Sequence, residues 1–319
     1  MTVPSFSVVL PVYDAADTVA EAVESALDQT VPPLEIIVVD DGSTDDLDRS
    51  LEPYRGRIGL VRQENGGCAA AFNAGLWRAR GDFVAQLDAD DAFEPERLAA
   101  LGELAAGRPD LDLVMTDTFL EAGGRVVGRY CEETPFAVED QRLAILRQCF
   151  VFFPAIRREV LVAAGGHDET LRLGPDWDCY LRLILAGSRA GLVDEPLYRY
   201  RISSQSLTGD RAAALAYRVR VLEKAASNPD LRVEERPHLR RSLDYHRRRA
   251  LLAEAEAALR AGDSGARHAT LALVRARGVG GRTRLKALAA TVAPRWAGRR
   301  LEARAAGTGE SHLTRRHAR

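Results

Sequence analysis

Three carboxylates lie within four residues in the segment 87–91, whose sequence is LDADD. The segment directly follows the strand-like run 82–87. Crowded carboxylates at the end of a buried strand repel one another and lose hydration, and a hard divalent cation stabilises such a group. Asp88 and Asp90 are spaced i, i+2, so in an extended chain they share a face and could reach one metal ion. The alternative is a solvated turn in which Asp90 or Asp91 caps the helix that follows.

Two more polar groups follow apolar strands earlier in the chain. Tyr13 comes after the apolar run 5–12, and Asp40 and Asp41 come after the run 34–39. In parallel α/β sheets, ligands bind beyond the carboxyl ends of the strands. One acid at a strand end is ordinary, whereas three polar groups at one edge of one sheet predict a binding site.

The elements that must position these groups alternate between strand and helix. Apolar runs of strand length indicate strands buried on both faces, and apolar residues three and four apart indicate helices. Together they predict an α/β fold with a mainly parallel sheet between helices. The predicted strands are 5–12, 34–39, 58–62, 82–87, 111–118, 125–130, 150–156 and 193–200. The main predicted helices are 18–28, 68–79, 94–106, 139–148, 158–164, 176–186, 211–225, 236–262, 264–277 and 282–306.

The composition is that of a globular protein. The chain has 319 residues, of which 46% are apolar and 28% charged. Its four cysteines form no C-x-x-C pair, which argues against a disulfide framework or a zinc site and fits a reducing compartment. We find neither an apolar run of about 18 residues nor a signal peptide, and we predict a cytoplasmic protein.

The charge divides the chain in two. Residues 211–319 carry 25 Lys and Arg against 10 Asp and Glu, a net charge of +15, whereas residues 1–210 carry −17. The division predicts a catalytic domain over 1–209 and a helical, Arg- and Ala-rich C-terminal extension over 210–319.

Several nucleotide-binding motifs are absent from the sequence. No G-x-G-x-x-G opens a helix after the first strand, and no G-x-x-x-x-G-K occurs, so dinucleotide-binding and P-loop proteins are excluded. Neither acidic loop has the ligand spacing of an EF-hand.

The order of the remaining motifs resembles that of the inverting family-two glycosyltransferases with a GT-A fold. The resemblance covers about residues 5–205 and implies a transferase for nucleotide-diphospho-sugars. It rests on six segments. VVLPVY at 8–13 resembles the first strand with its base-binding turn, DDGSTD at 40–45 the nucleotide motif, and NGG at 65–67 the segment that leads the third helix. LDADD at 87–91 resembles the D-x-D motif, GGHDE at 165–169 the acceptor side, and PDW at 175–177 the start of the catalytic helix.

The resemblance implies which residues bind the donor. Asp90 is the first choice as ligand of Mn²⁺ or Mg²⁺, and Asp88 faces the ribose and the ion. Asp40 would accept a hydrogen bond from a base N–H; the alternative is a loop aspartate that caps the following helix, a role that suits Asp45 better than Asp40. The other expected nucleotide contacts are Pro11, Tyr13, Asp41 and Arg201, the last with the serines of the loop 203–206. Tyr13 could equally be a core-edge tyrosine, and the 203–206 loop could be merely solvated.

The resemblance also implies that Asp176 is the catalytic base. Inversion requires a group that takes the proton from the acceptor hydroxyl during in-line attack. Asp176 could equally be a helix N-cap, and the two roles are compatible because a helix N-terminus keeps a carboxylate ionised. Asp178 and Glu169 are the next candidates for the base.

Three positions depart from the family pattern. Pro175 stands where Glu is usual, which affects the expected acceptor contacts. Phe72 stands where Arg is frequent, and we interpret it as core packing. His167 stands where Phe is frequent; it could touch the acceptor, but the favoured interpretation is a partly exposed histidine beside a helix.

The sequence therefore predicts a metal-dependent inverting glycosyltransferase that moves a sugar from an NDP-sugar to a glycan, lipid-linked or other hydroxyl acceptor in surface glycan biosynthesis. One alternative is a sugar-phosphate nucleotidyltransferase, which requires a Gly-rich basic loop after strand one that is absent here. The other is a non-catalytic binding protein that works through its helical tail.

The basic tail suggests a peripheral contact with the inner face of a membrane. Trp296 beside Arg295 suits an interfacial helix, and Arg299, Arg300, Arg315 and Arg316 add positive charge. The slightly favoured alternative is that this charge pairs with the acidic first domain. Nucleic-acid binding is not expected, because the tail has few aromatic residues to stack on bases.

Overall fold

The structure is a computed structural model that describes residues 3–202, 211–262, 265–276 and 278–298. The chain divides into two compact units. The first unit comprises Met1–Ser206 and Asn228–Leu231, and the second comprises Leu207–Ser227 and Arg232–Arg319. The predicted serine loop 203–206 and the arginines after residue 298 lie outside the described residues.

The first unit is built on one nine-stranded sheet with helices between the strands. Its strands are β1 Phe6–Val12, β2 Glu35–Asp40, β3 Gly59–Arg62, β4 Phe83–Gln86, β5 Ala92–Phe93, β6 Leu113–Ala122, β7 Arg125–Arg129, β8 Ala155–Arg157 and β9 Ala190–Ile202. Its helices are α1 Val19–Leu27, α2 Leu47–Leu51, α3 Cys68–Leu76, α4 Arg97–Gly107, α5 Tyr130–Glu133, α6 Gln141–Ile145, α7 Arg158–Ala163 and α8 Pro175–Ala186.

The strand order is β3-β2-β1-β4-β8-β6-β9-β5, with β7 attached to β6. The first four strands pair in parallel, as the sequence predicts, and β1 is buried at every position because the sheet is covered on both faces. The second half is mixed, since β8 is antiparallel to both neighbours while β6 and β9 are parallel. The α/β architecture is confirmed.

Helix α3 lies close against β1 and β2, and a glycine makes this approach possible. A Cβ atom on Gly75 would lie 2.4 Å from Val9 Cγ1 and 3.3 Å from Val39 Cγ2. Any larger side chain would therefore push the helix away from the sheet. Since the cleft described below uses the N-terminal end of α3, this contact fixes one of its walls.

The predicted strand 150–156 is wrong over most of its length. Only β8, from Ala155, pairs with the sheet. Phe153 adopts φ 43° in the left-handed region, which ends any extended run, and Pro154 follows it. Phe150 is fully buried although it is not in a strand. The segment therefore has the apolar composition of a strand because its aromatic side chains fill the core.

The second unit is helical. Its helices are α9 Arg211–Ala225, α10 Arg236–Ala261, α11 Ala266–Arg275 and α12 Gly281–Val292. The predicted helix 282–306 is interrupted at Ala293, because a residue before proline is disfavoured in a helix, and helical residues resume over 294–298. The part of the prediction after residue 298 lies outside the described residues. Within the part of the chain that the structure describes, no helix is both long and apolar enough to cross a bilayer.

Candidate active site

The loops after β1 and β2 are tied to each other at one edge of the sheet. Asp14 adopts φ 47°, and its Oδ1 accepts a 2.7 Å hydrogen bond from the Thr44 backbone N–H. In return, the Asp14 N–H donates to Ser43 Oγ at 3.1 Å, and Asp45 Oδ2 accepts from the Ala16 N–H at 2.7 Å. Both loops are therefore held rigidly at the carboxyl ends of neighbouring parallel strands.

Proline at position 11 helps to open the cleft between β1 and β4. The pairing of these strands ends at Val9 and Gln86, with the Leu87 N–H donating to the Val9 carbonyl at 3.0 Å. Pro11 is buried, and its backbone nitrogen faces β4, as the backbone of Val9 does. Because proline has no N–H, it cannot continue the hydrogen-bond ladder between β1 and β4. The chain after β4 is thus released into the loop 87–91.

The two aspartates after β2 have different surroundings. Asp41 is 2% exposed, and its carboxylate accepts hydrogen bonds from Gln63 Nε2 and from the N–H groups of Gly66 and Gly67, at 2.7–2.9 Å. Asp40 Oδ1 accepts from the Ser43 N–H at 2.8 Å, three residues on. Asp41 therefore holds the 63–67 turn, and Asp40 stabilises its own loop.

Tyr13 is half exposed at the tip of the loop after β1, so the alternative of a buried core-edge tyrosine does not hold. Its hydroxyl lies near the carboxylate of Asp14, whose charge and hydrogen bond raise the pKa of the phenol, and near the side chain of Asn65. An exposed aromatic ring at this edge is available to stack against a flat ligand such as a nucleobase.

The third acid of the LDADD segment joins the loop to β9. Asp91 is 1% exposed; its Oδ2 accepts a 2.8 Å hydrogen bond from the Tyr198 hydroxyl, and its Oδ1 accepts one of 2.8 Å from the Arg201 N–H. Burial raises the pKa of Asp91 well above its usual range. With both oxygens engaged inside the protein, Asp91 anchors the loop, and the helix-cap interpretation of this residue is wrong.

Asp88 and Asp90 stay at the surface of the cleft, and Asp176 joins them from α8. Loss of hydration raises the pKa of Asp88 to about 7, a 2.7 Å hydrogen bond from Gln86 Nε2 opposes this rise, and the charges of Asp90 and Asp176 add to it. Such mutual influence requires the carboxylates to be near neighbours. The fold has thus brought Asp176 to the D-x-D loop from 88 positions along the chain.

The carboxylate oxygens at this cleft are suitable ligands for Mg²⁺ or Mn²⁺. Among the described residues, no group of three or more His, Cys, Asp or Glu side chains forms a complete metal cage. Mg²⁺ is usually bound through one or two carboxylates together with substrate phosphates and water, rather than by an all-protein cage. The carboxylate oxygens of Asp88 and Asp90 match that pattern.

Helix α8 presents two acids to different surroundings. The helix begins at Pro175, with Gly174 as N-cap, so Asp176 lies within the first turn and the prediction that it caps the helix is wrong. Proline is favoured at the first helical position, which accounts for Pro175 structurally. Asp178 is 2% exposed, and its Oδ2 accepts a 2.9 Å charged hydrogen bond from Arg182 Nε.

The histidine of the GGHDE motif is buried, contrary to the expectation of partial exposure. His167 is 4% exposed and its ring stacks on Phe72, with ring centroids 4.3 Å apart. Its backbone is held by Asn73, whose Oδ1 accepts from the His167 N–H at 2.8 Å. Phe72 is core packing, as expected. The family's usual phenylalanine is thus replaced by a second flat ring that fills the same kind of space.

Arg201 lies at the end of β9 beside the D-x-D loop. Its guanidinium pairs with Glu21 on α1 and donates a 3.3 Å hydrogen bond to the Asp90 carbonyl. The arginine therefore places one positive charge at the mouth of an otherwise acidic cleft. Burial raises the pKa of Asp90, and the charge of Arg201 opposes this rise.

Cys68 belongs to the same cleft, although it is part of none of the motifs that the sequence analysis selected. It is the first residue of α3, and loss of hydration at its thiol, followed by the charges of Asp88, Asp176 and Asp41, raises the pKa of the thiol. The residue as a whole is exposed, with its thiol end turned among these acids. Only the fold could reveal this position, because no motif marks it.

Comparison with solved structures defines the class of this fold. The TarS fragment 1–349 of S. aureus, solved with UDP-GlcNAc, superposes with a TM-score of 0.62 at 19% identity, covering 97% of this chain and 93% of that one. A mannosyltransferase of Pyrobaculum calidifontis, solved with GDP-Man and Mn²⁺, gives 0.56 at 21% identity, covering 93% and 88%. The fold is that of the GT-A glycosyltransferases.

Comparison of sequences finds a matching family model and several relatives. Residues 7–162 match the family described as Glycosyl transferase family 2. The succinoglycan biosynthesis protein ExoU of Rhizobium meliloti is 32% identical over 227 residues, which are 63% of each chain. The chondroitin synthase of Escherichia coli is 30% identical over 191 residues, 58% of this chain and 27% of that one. This chain therefore spans less than two thirds of the length of these relatives.

Proposed function

We propose that this protein is a metal-dependent, inverting glycosyltransferase, and that it transfers one sugar from an NDP-sugar to a hydroxyl acceptor. The observation that carries the proposal is the meeting of three carboxylates at one cleft: Asp88 and Asp90 from the loop after β4, and Asp176 from the first turn of α8. They are close enough for the charges of Asp90 and Asp176 to raise the pKa of Asp88.

The proposed reaction is a single displacement at the anomeric carbon of the donor sugar. The acceptor oxygen forms a bond to that carbon while the bond from the carbon to the diphosphate oxygen breaks, and the configuration inverts. Asp176 takes the hydroxyl proton, and the electron pair of the broken bond leaves with the nucleoside diphosphate. Asp176 lies in the N-terminal turn of α8, and a helix N-terminus favours the charged form of a carboxylate, which is the form that accepts a proton.

Asp88 and Asp90 are the proposed ligands of Mn²⁺ or Mg²⁺. When bound, such an ion neutralises charge on the donor diphosphate and stabilises its departure. Tyr13 and Asp40, held in the interlocked loops after β1 and β2, are the proposed contacts for the nucleobase. Pro11 and Asp41 shape that pocket from the protein side, and Arg201 is the proposed cationic contact for the diphosphate.

The proposed acceptor is a growing glycan or a lipid-linked sugar in surface polysaccharide biosynthesis. The support is that relatives named for succinoglycan, chondroitin and O-antigen synthesis share this domain. The cytoplasmic location predicted from the sequence stays a prediction.

The test is release of nucleoside diphosphate from a panel of UDP-, GDP- and dTDP-sugars, with Mn²⁺ or Mg²⁺ and a set of glycan acceptors. We expect turnover of one donor class, its loss in EDTA, and recovery when the metal is restored. The anomeric configuration of the product, determined by NMR, should be opposite to that of the donor. Full activity in EDTA would overturn metal dependence, and retained configuration would overturn the role of Asp176.

A further inference from the structure

Helix α12 has two unlike faces. Ala287 and Ala290 are buried within the second unit, at 5% and 7% exposure. Leu285, Leu288 and Val292 are 69%, 48% and 76% exposed. At 3.6 residues per turn, the spacing i, i+3, i+7 places these three large side chains along one stripe, opposite the alanines. The helix therefore packs through its small residues and turns its large apolar residues outward.

Such an arrangement is the reverse of what a surface helix of a globular protein normally shows. Single exposed apolar residues are ordinary, whereas an aligned apolar row indicates a surface that is covered by something else. Trp296, four residues beyond the end of α12, is 57% exposed. A tryptophan, with an apolar ring and a polar N–H, suits the boundary between hydrocarbon and water.

Positive charge borders the apolar row on both sides. At 3.6 residues per turn, Arg282 and Lys286 fall on one side of the stripe and Arg284 falls on the other, and all three are exposed, as is Arg295. The guanidinium of Arg284 donates a 2.8 Å hydrogen bond to the Ala276 carbonyl, at the C-terminal end of α11. Across residues 264–301, the sequence has nine Lys and Arg and no Asp or Glu.

We propose that the outer face of α12, formed by Leu285, Leu288 and Val292 with the flanking cations, docks on an anionic lipid surface. The apolar row would enter the boundary between headgroups and acyl chains, while the long basic side chains reach the lipid phosphates. The twelve residues of α12 span about 18 Å, too short to cross a hydrocarbon core of about 30 Å, so the helix lies in the plane of the membrane.

The charge pattern favours a membrane over a second copy of the chain. Two copies of this face would bring eight cations together around one small apolar contact, and no acid between residues 264 and 301 could neutralise them. Like charges across an interface oppose association. An anionic leaflet instead supplies a continuous layer of opposite charge, and each basic contact strengthens binding by about fivefold near the surface.

The test is co-sedimentation of the full-length protein with vesicles of phosphatidylcholine alone or with 30% phosphatidylglycerol. We expect binding to the anionic vesicles only, and a steep decrease in affinity between 50 and 300 mM salt. Val292→Asp should weaken this binding about tenfold or more, and Val292→Ser, which adds no charge, should weaken it by a smaller factor. Lys286→Gln should weaken it about fivefold and reduce the salt dependence.

Val233 provides a matched control. It lies in the same unit, outside α12, and is 78% exposed, close to the 76% of Val292. Val233→Asp and Val233→Ser should leave vesicle binding unchanged. Thermal unfolding of every variant checks that the fold is intact.

Equal binding to neutral and anionic vesicles, or none to either, would overturn the proposal. So would an equal loss in the Val233 variants. If sedimentation velocity instead shows a dimer that Val292→Asp dissociates, without vesicle binding, the face is a contact between copies. The outcome does not depend on enzymatic activity, so it can fail while the proposed transferase function stands.

Discussion

The acids of the first unit lie in two regions that differ in what their oxygens contact. One region is the interior beneath the cleft, where the anchor carboxylates are no more than 2% exposed and each accepts hydrogen bonds from protein donors. These are Asp41, Asp91 and Asp178. The other region is the cleft surface, where the cleft carboxylates are partly exposed and the charges of two of them raise the pKa of Asp88. These are Asp88, Asp90 and Asp176.

The two regions divide residues that are neighbours in sequence. Asp90 and Asp91 are adjacent, and Asp176 and Asp178 are two apart, yet each pair has one member in each region. A run of acids is therefore not a single functional unit. The buried member of each pair fixes the loop or helix that carries the other member to the cleft.

The largest expected effect is on the rate of Asp176→Asn. Asparagine has nearly the same shape, so the free energy of unfolding should change little, but it cannot accept the acceptor proton. We expect the transfer rate to fall by about 10²–10⁴-fold. Steady-state kinetics with a saturating donor measures the loss. A near-normal rate would show that the base is another residue, and it would contradict the assignment of Asp176 to the functional carboxylates at the cleft surface.

Asp178→Asn should mainly lower the free energy of unfolding rather than the transfer rate. It removes the charge that pairs with Arg182, whose guanidinium also donates to the carbonyls of Ala164 and Gly166 at 2.6 Å. We expect a loss of about 3 kcal/mol in the free energy of unfolding, because a largely buried cation loses its partner. Urea denaturation measures this loss. If the variant is as stable as the parent and cannot transfer sugar, Asp178 belongs with the cleft carboxylates.

The interior beneath the cleft also contains His167, and the pH dependence of the free energy of unfolding tests whether this histidine is buried in its uncharged form. Burial, and then the charge of Arg182, lower its pKa to about 3, whereas an unfolded histidine has a pKa of about 6.5. Between these values the unfolded chain binds a proton that the folded chain does not, so stability falls as pH falls from 6.5 towards 3. The loss at pH 5 should be about 2 kcal/mol.

His167→Phe should remove that part of the pH dependence while keeping the ring that stacks on Phe72. Unfolding in urea at pH 7.5 and at pH 5 measures it for both proteins. An identical decrease in the variant and the parent would show that His167 is protonated in the folded state.

The smallest expected effect is that of Tyr198→Phe, which removes the hydroxyl that donates to Asp91. We expect a loss of about 1–2 kcal/mol in stability and a higher KM for the donor, because the loop 87–91 is less firmly held. Tyr54→Phe is the matched control, since the Tyr54 hydroxyl donates a 2.6 Å hydrogen bond to Glu24. It should lose similar stability with an unchanged KM. A rise in KM in both variants would remove the link between Asp91 and the cleft.

The sequence predicted the parallel half of the sheet because its strands are apolar at nearly every position. It also predicted that acids at strand ends meet at one edge, since parallel topology requires this. It could not assign Asp90 and Asp91 to different regions, because that depends on Tyr198 and Arg201, more than 100 residues away. The prediction of a strand over 150–156 was wrong for most of the segment. Buried aromatic side chains in a loop give the same run of apolar residues as a buried strand, and the left-handed φ of Phe153 cannot be read from the sequence. The position of Cys68 beside the cleft carboxylates could be found only from the folded structure.

The central claim is that the cleft carboxylates divide metal binding from proton transfer, and calorimetry tests it most directly. The nucleoside diphosphate of the accepted donor would be titrated, with and without Mn²⁺, into the parent protein and into the variants Asp90→Asn and Asp176→Asn. We expect Asp90→Asn to lose the Mn²⁺-dependent part of the affinity, and Asp176→Asn to bind as the parent does while failing to transfer sugar. Mn²⁺-dependent binding that is unchanged in Asp90→Asn, or lost in Asp176→Asn, would contradict the account.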